Sequence, residues 1–429
     1  MRRTTLFLVV LALAATAGHM PAQSATNAPP VRAQSGFAAD RLARIDQFLQ
    51  RYVDNNEIAG AVLLVLRDGR PVYERAVGWA DKESGRRMTT DAIFRIASQS
   101  KAITTTAILM LVEEGRISLG DPVSRFIPQF ANTTVVTRSD TGRVLTKAKR
   151  EITIRDLLTH TSGISYGTDS IVAPLYSPKG LGPAAGRGWY TADKNEPICT
   201  TMERLATLPF VAQPGEKWVY GYNTDVLGCV VERASGIPLD EFIRTRITQP
   251  LGMRDTFFFV PPEKKQRLVT VYMSDSTGHV RRAPEGPHGQ GNYIDGPRRS
   301  FAGGAGLLST ARDYGRFLQM LLDGGQHDGV RILSPNTVAL MTTNQVGSLY
   351  DESSRSGFSL GFATVERVGA DVLAPVGAYG WGGAYGTGYQ VDPKDRLTML
   401  FMMNQLPNSA DIGGKFRTLV YQALVEPKM

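Results

Sequence analysis

Phe94-Arg95-Ile96-Ala97-Ser98-Gln99-Ser100-Lys101, running on into the apolar stretch Ala102 to Val112, is the segment on which the reading of this 429-residue chain turns. It sets a serine and a lysine three residues apart where a helix begins. Side chains at i and i+3 share a helix face, so the lysine amine can reach the serine hydroxyl. The positive end of the helix dipole favours negative charge developing on that oxygen. Serine is a weak nucleophile until a neighbouring base takes its proton, and a desolvated lysine can be that base. In a chain of this length a Ser-x-x-Lys spacing also arises by chance about once or twice. The rest of the sequence must therefore decide whether the pair is chemical.

The bulk properties narrow the setting. Apolar residues make up 42% and charged residues 21%, an ordinary balance for a globular protein large enough for one big domain or two. At the start, Arg2 and Arg3 precede an apolar run from Leu6 to Ala17, with small residues at Ala15-Thr16-Ala17 and Ala22-Gln23-Ser24. This reads as a signal peptide within residues 1–24, with cleavage after Ala17 or near Ser24, too short to span a membrane, and it implies a periplasmic or secreted protein. Residues 25–36, rich in Pro, Ala and Ser, read as a disordered leader. No later run is long and apolar enough to suggest an integral membrane segment. The net charge of +8 is spread over separate pairs such as Lys264-Lys265, Arg281-Arg282 and Arg298-Arg299, a pattern of solvated loops rather than a nucleic-acid footprint. Cys199 and Cys229 fit either a bridge, which an oxidising compartment permits, or buried thiols in apolar surroundings. With no His-Glu-x-x-His and no clustered Cys/His spacing, no metal or cofactor is expected.

Periodicity gives the organisation. Leu42, Ile45, Phe48, Leu49 and Tyr52 form one helical stripe. Two strands, Ala61 to Leu66 and Val72 to Trp79, flank an Asp68-Gly69 turn. The Ser98 helix should run to about Glu114 and stop at Gly115. From Asp121 to about Ser300 strand signals thin out into short helices and Pro/Gly-rich loops. Strands return at Gly380 to Val391 and Arg396 to Met403, around Asp392-Pro393-Lys394-Asp395, and a helix with Phe416, Leu419, Val420, Ala423 and Leu424 closes the chain. The expected fold is α+β. One antiparallel sheet is built from both chain ends (about 37–120 and 300–426), with a mostly helical region (about 121–299) inserted between them.

Four further segments surround the Ser-x-x-Lys helix in order: Ile154-Arg155-Asp156-Leu157-Leu158-Thr159-His160-Thr161-Ser162-Gly163; Pro214-Gly215-Glu216 with Trp218-Val219-Tyr220-Gly221-Tyr222-Asn223; Gly303 to Thr310; and Gly380-Trp381-Gly382-Gly383-Ala384. Together they resemble the serine β-lactamase and penicillin-binding-protein superfamily, in its class C-like branch, closest in look to the family VIII carboxylesterases. The resemblance covers the domain at 37–426 and implies a β-lactamase/transpeptidase-like fold. It implies that Ser98 is the acylating nucleophile, that Lys101 and Tyr220 form its base system, and that the backbone N–H groups of Ser98 and Ala384 make the oxyanion hole. Trp381, Gly382, Gly383 and Tyr222 are implied to meet the substrate. No role passes to Asn223, which is shifted by one from the family's asparagine. Trp381-Gly382-Gly383 stands where lactamases carry Lys-Thr-Gly, and an indole cannot replace the charge that holds a penicillin carboxylate.

Two decoys are set aside. His160 invites a Ser-His-Asp triad but sits in a segment where it looks structural, turning the chain before Gly163. Gly357-Phe358-Ser359-Leu360-Gly361 fits a nucleophile elbow, yet polar residues precede it and Phe358 to Val365 reads as a strand. The expectation is a serine hydrolase, free of metal and cofactor, that forms an acyl-enzyme with small-molecule esters of small to medium acyl groups. A β-lactamase or D-amino-acid peptidase is the alternative within the enzymes. A catalytically silent protein that binds peptidoglycan or an acyl ligand is the alternative outside them.

Overall fold

A computed structural model describes residues 36–140, 142–182 and 193–428. The signal peptide at 1–24 and the leader, up to residue 35, lie outside the described residues. Along the chain, helix α1 (Ala39–Asp54) precedes the hairpin of β1 (Gly60–Arg67) and β2 (Arg70–Asp81) and a short β3 (Arg86–Arg87), after which α2 (Ser100–Glu113) carries Lys101. The middle supplies α3 (Ile154–Leu158), α4 (Ile198–Ala206) and α5 (Asn223–Ser235). The last third supplies α6 (Ala311–Leu322), then β4 (Ser356–Phe358), β5 (Ala363–Val365), β6 (Tyr379–Gly382), β7 (Gly388–Asp392), β8 (Leu397–Met402) and α7 (Gly413–Ala423).

The main sheet runs β4-β5-β6-β7-β8-β1-β2-β3, with antiparallel pairing throughout. The two chain ends meet at β1 and β8, where Val62 faces Met402 and Arg67 faces Leu397. Every residue of β1 is buried, which accounts for an unbroken apolar run in place of alternation. Successive strand residues point to opposite faces, and here both faces are covered. Ala61, Leu63 and Val65 pack with Leu42, Ile45 and Leu49 of α1 and Phe416 and Val420 of α7. Val62, Leu64 and Leu66 enter a second core with Ile103 and Ile108 of α2 and Leu318 of α6. This is the α+β, β-lactamase-like architecture expected from the sequence.

Several elements differ from the expectation. Gly380 to Val391 is two strands, β6 and β7, because the Gly383 N–H bonds back to the Thr387 carbonyl at 2.8 Å and Gly386 supplies a φ of +83°. Phe358 to Val365 is likewise a hairpin, closed by the Ser359 N–H on the Phe362 carbonyl at 2.8 Å. The middle region also contains a strand pair, Thr134–Ser139 with Gly142–Lys147. The second of these is exposed along its whole length, so it carries no apolar alternation to betray it. The first is held by a distant contact, Val136 N–H to the Phe210 carbonyl at 2.9 Å.

Cys199 on α4 and Cys229 on α5 are bonded, with Cα atoms 5.0 Å apart and 30 positions between them. The bridge ties α4 to the helix that starts directly after Tyr220-Gly221-Tyr222. Closing a loop of that length in the unfolded chain is worth about 3–4 kcal/mol. The double variant Cys199→Ala/Cys229→Ala is therefore expected to lose about that much stability in urea unfolding; an unchanged midpoint would contradict it.

Candidate functional site

A two-stranded pairing, Phe94–Arg95 against Leu308–Ser309, anchors the chain just before Ser98. The next step is abrupt. Ala97 has a φ of +42°, a left-handed conformation that costs an L-residue about 1–2 kcal/mol. It opens a single 3₁₀ turn, Ala97–Gln99, that feeds α2. Ser98 sits in this turn, half-buried, while Gln99, Ser100 and Lys101 behind it are buried. First-turn N–H groups have no acceptor within the helix, which leaves the Ser98 amide free to serve an external oxygen.

Helix α2 is buried on every side from Ser100 to Leu111, and Lys101 is 1% exposed. A buried amine or ammonium is tolerated only when its hydrogen-bonding capacity is met. Lys101 Nζ donates to Ser98 Oγ at 3.1 Å, to the Tyr166 hydroxyl at 3.0 Å and to the Gly304 carbonyl at 2.7 Å. These three contacts use all three ammonium hydrogens.

Tyr166 is a site residue that the sequence reading passed over. It lies three positions past Gly163, at the end of the segment Thr161-Ser162-Gly163-Ile164-Ser165. A tyrosine closing that segment behind a short helix was the available signal. Burial, followed by the neighbouring Tyr220 and Asp225, raises its hydroxyl well above the usual 10, so it remains a neutral phenol that can accept from Lys101.

Tyr220 meets the lysine in another way. Its ring lies under Lys101 Nζ, 4.7 Å from nitrogen to centroid, while its hydroxyl accepts from the Trp381 indole N–H at 3.1 Å. Trp218 stacks on the same ring at 5.7 Å and 13°, and His160 lies 4.8 Å away. Burial, then the charge of Lys101, holds His160 well below its usual 6.5, so the imidazole is neutral. Its Nδ1 bonds to the Asn223 side-chain amide at 2.8 Å, and it serves as packing beneath Tyr220.

The Trp381-Gly382-Gly383 strand end arrives from the other half of the sheet. A Cβ on Gly383 would come within 2.4 Å of the Ile96 carbonyl. Only glycine lets β6 run this close to the turn that carries Ser98, and Ala384 follows at once. Trp381, Gly383 and Ala384 are half-buried and Gly382 is exposed. Tyr222 requires correction as a substrate-contacting residue. It is fully buried, its hydroxyl accepts from the Gly182 N–H at 2.8 Å, and its ring packs edge-on against Tyr166 at 4.9 Å. Directly after it, α5 begins and turns its ring into the core. Ser359 is fully buried and donates to the Phe362 carbonyl at 3.2 Å. Its neighbour Phe358 packs against Trp381 at 5.4 Å.

A family model described as Beta-lactamase matches residues 45–422. Esterase EstB of Burkholderia gladioli is 32% identical over 383 residues, which span 86% of this chain and 91% of the esterase. A putative D-alanyl-D-alanine carboxypeptidase of Escherichia coli is 27% identical over 424 residues, 94% of this chain and 91% of the relative. Among solved structures, EstCE1, a hydrolase with promiscuous acyltransferase activity, superposes with a TM-score of 0.76 at 27% identity, covering 90% of this chain and 99% of EstCE1.

The two candidate serines differ enough in setting to be told apart chemically. A fluorophosphonate is expected to modify Ser98 and leave Ser359 untouched, read by mass spectrometry of the proteolysed protein. An adduct on Ser359 alone would overturn this assignment.

Proposed function

This chain belongs to the beta-lactamase family, and on that premise we propose that it is a serine hydrolase of carboxylic esters, working through an acyl-enzyme on Ser98. The observation that carries the reading is the 3.1 Å contact between Lys101 Nζ and Ser98 Oγ, made while Tyr166 and Gly304 occupy the other two directions around the nitrogen. Once the Lys101 ammonium has released one proton to solvent, two N–H groups still serve Tyr166 and Gly304, and the lone pair faces the serine. Ser98 Oγ then attacks the ester carbonyl as its proton passes to Lys101. The N–H groups of Ser98 and Ala384 receive the oxyanion, a contribution whose loss typically costs about a hundredfold to a thousandfold in rate. The proton returns to the departing alkoxide, the acyl group stays on Ser98, and water admitted to the same site repeats the sequence. The family resemblance assigns Tyr220 to the same base system, and its ring lies 4.7 Å from Lys101 Nζ while Trp381 holds its hydroxyl.

Esters with small to medium acyl groups are favoured over β-lactams and D-peptides by the residue at the end of β6. The Trp381 indole is neutral and already committed to the Tyr220 hydroxyl, so it supplies no cation for a lactam or peptide carboxylate. Esters also expel a better leaving group than amides, and ask less of the acid that protonates it.

With 4-nitrophenyl butyrate, Ser98→Ala and Lys101→Ala are each expected to lower kcat by at least about a thousandfold, whereas Ser359→Ala stays within about twofold. Turnover of nitrocefin or release of D-alanine from a D-alanyl-D-alanine peptide exceeding ester turnover would replace the ester reading.

We also place the working protein outside the cytoplasm. The signal-peptide pattern within residues 1–24 and the Cys199–Cys229 bridge support that reading. Fractionation of the native host is expected to recover a chain that begins near residue 18 or residue 25 from the periplasm or medium; an intact Met1 in the cytosol would overturn it.

A further inference from the structure

Asp225 lies in the first turn of α5, is fully buried, and takes no part in the steps above. Its Oδ1 accepts the Gly304 N–H at 3.1 Å. The carbonyl of the same glycine accepts from Lys101 Nζ at 2.7 Å. Oδ2 is buried with no hydrogen-bond partner among the described residues, and a Cβ on Gly304 would come within 2.4 Å of it. Gly304 is thus gripped from both sides, by the carboxylate on its nitrogen and by the lysine on its oxygen.

A helix N-terminus favours an acidic residue only modestly. An ionised carboxylate left buried and half-satisfied costs more than that gain. The helix end alone therefore does not account for Asp225, and the charge that can offset it is on Lys101. Lys101 from α2 and Tyr166 from the segment after α3 are the titratable groups that interact with it, while Ala302 to Gly306 brings none.

We propose that Asp225 is a positioning residue for the serine–lysine pair: it fixes Gly304 so that Lys101 Nζ is held on Ser98 Oγ, and its negative charge stabilises the ammonium that Lys101 becomes when it takes the serine proton. The role parallels that of an aspartate behind a catalytic histidine, which orients the base and balances the charge it gains. It rests on the reading of Ser98 as the nucleophile. Burial pushes the Asp225 carboxyl up to about 6, against the opposing pull of Lys101. Below that pH the carboxyl is neutral and the balancing charge is gone, so turnover falls as pH drops through this range.

The test is kcat and KM for 4-nitrophenyl butyrate between about pH 5 and 9, for the wild type, Asp225→Asn, Asp225→Ser and Ser98→Ala. Both Asp225 replacements can still accept the Gly304 N–H but carry no charge. Each is expected to keep the wild-type circular dichroism, to lose about 10- to 100-fold in kcat at neutral pH with KM within about twofold, and to lose the limb near pH 6. A purely structural role would move the melting temperature and leave the pH profile alone. Wild-type kcat and an unchanged limb in Asp225→Asn would overturn the proposal. The wild-type profile reads it even if neither variant folds: a limb near pH 6 supports it, and a flat kcat from pH 5 to 8 overturns it. Ester turnover that survives Ser98→Ala would instead overturn the functional reading itself.

Discussion

The burial of Lys101 is the constraint from which the site follows. A nitrogen that can carry charge, 1% exposed in a helix packed on all sides, is stable only if acceptors are brought to it. Its three partners come from three parts of the chain. Ser98 is local, Tyr166 belongs to the middle region and Gly304 opens the C-terminal third. The contacts with Tyr166 and Gly304 exist only once the middle region and the C-terminal third have packed onto α2.

The same geometry limits what the lysine can do. With two directions taken by Tyr166 and Gly304, its third faces Ser98, so the fold itself fixes how the amine meets the hydroxyl. Tyr220 is fixed as firmly by different means. Trp218 lies parallel to its ring, His160 packs against it, and the Trp381 indole holds its hydroxyl. A neutral buried imidazole is well suited to that packing role, because it adds bulk beside the lysine without adding a second positive charge.

The sheet supplies the last alignment. β1 and β8 pair over residues far apart in sequence, and three strands on from β1 the end of β6 reaches the turn before Ser98, with Gly383 against the Ile96 carbonyl. The strained Ala97 and the missing side chain at Gly383 are two halves of one device. The first swings the serine out of the strand direction, and the second lets a strand edge come up beside it.

The sequence by itself determined most of the elements and the spacing of Ser98 and Lys101. The three-residue spacing of Ser98 and Lys101 needs only helix geometry, the stripe from Leu42 to Tyr52 is the buried face of α1, and the unbroken run in β1 signals a strand covered on both sides. Tertiary structure alone decided what surrounds them. The contacts of Lys101 with Tyr166 and Gly304 join residues 65 and 203 positions apart. Trp381 and Tyr220 are separated by 161 positions, and Asp225 and Gly304 by 79. No local period records such pairings. The two cysteines fitted a bridge or free thiols equally well until α4 and α5 were seen to pack side by side. For the same reason Tyr222, next but one to Tyr220 and equally aromatic, could be told from it only by the direction in which the start of α5 turned its ring.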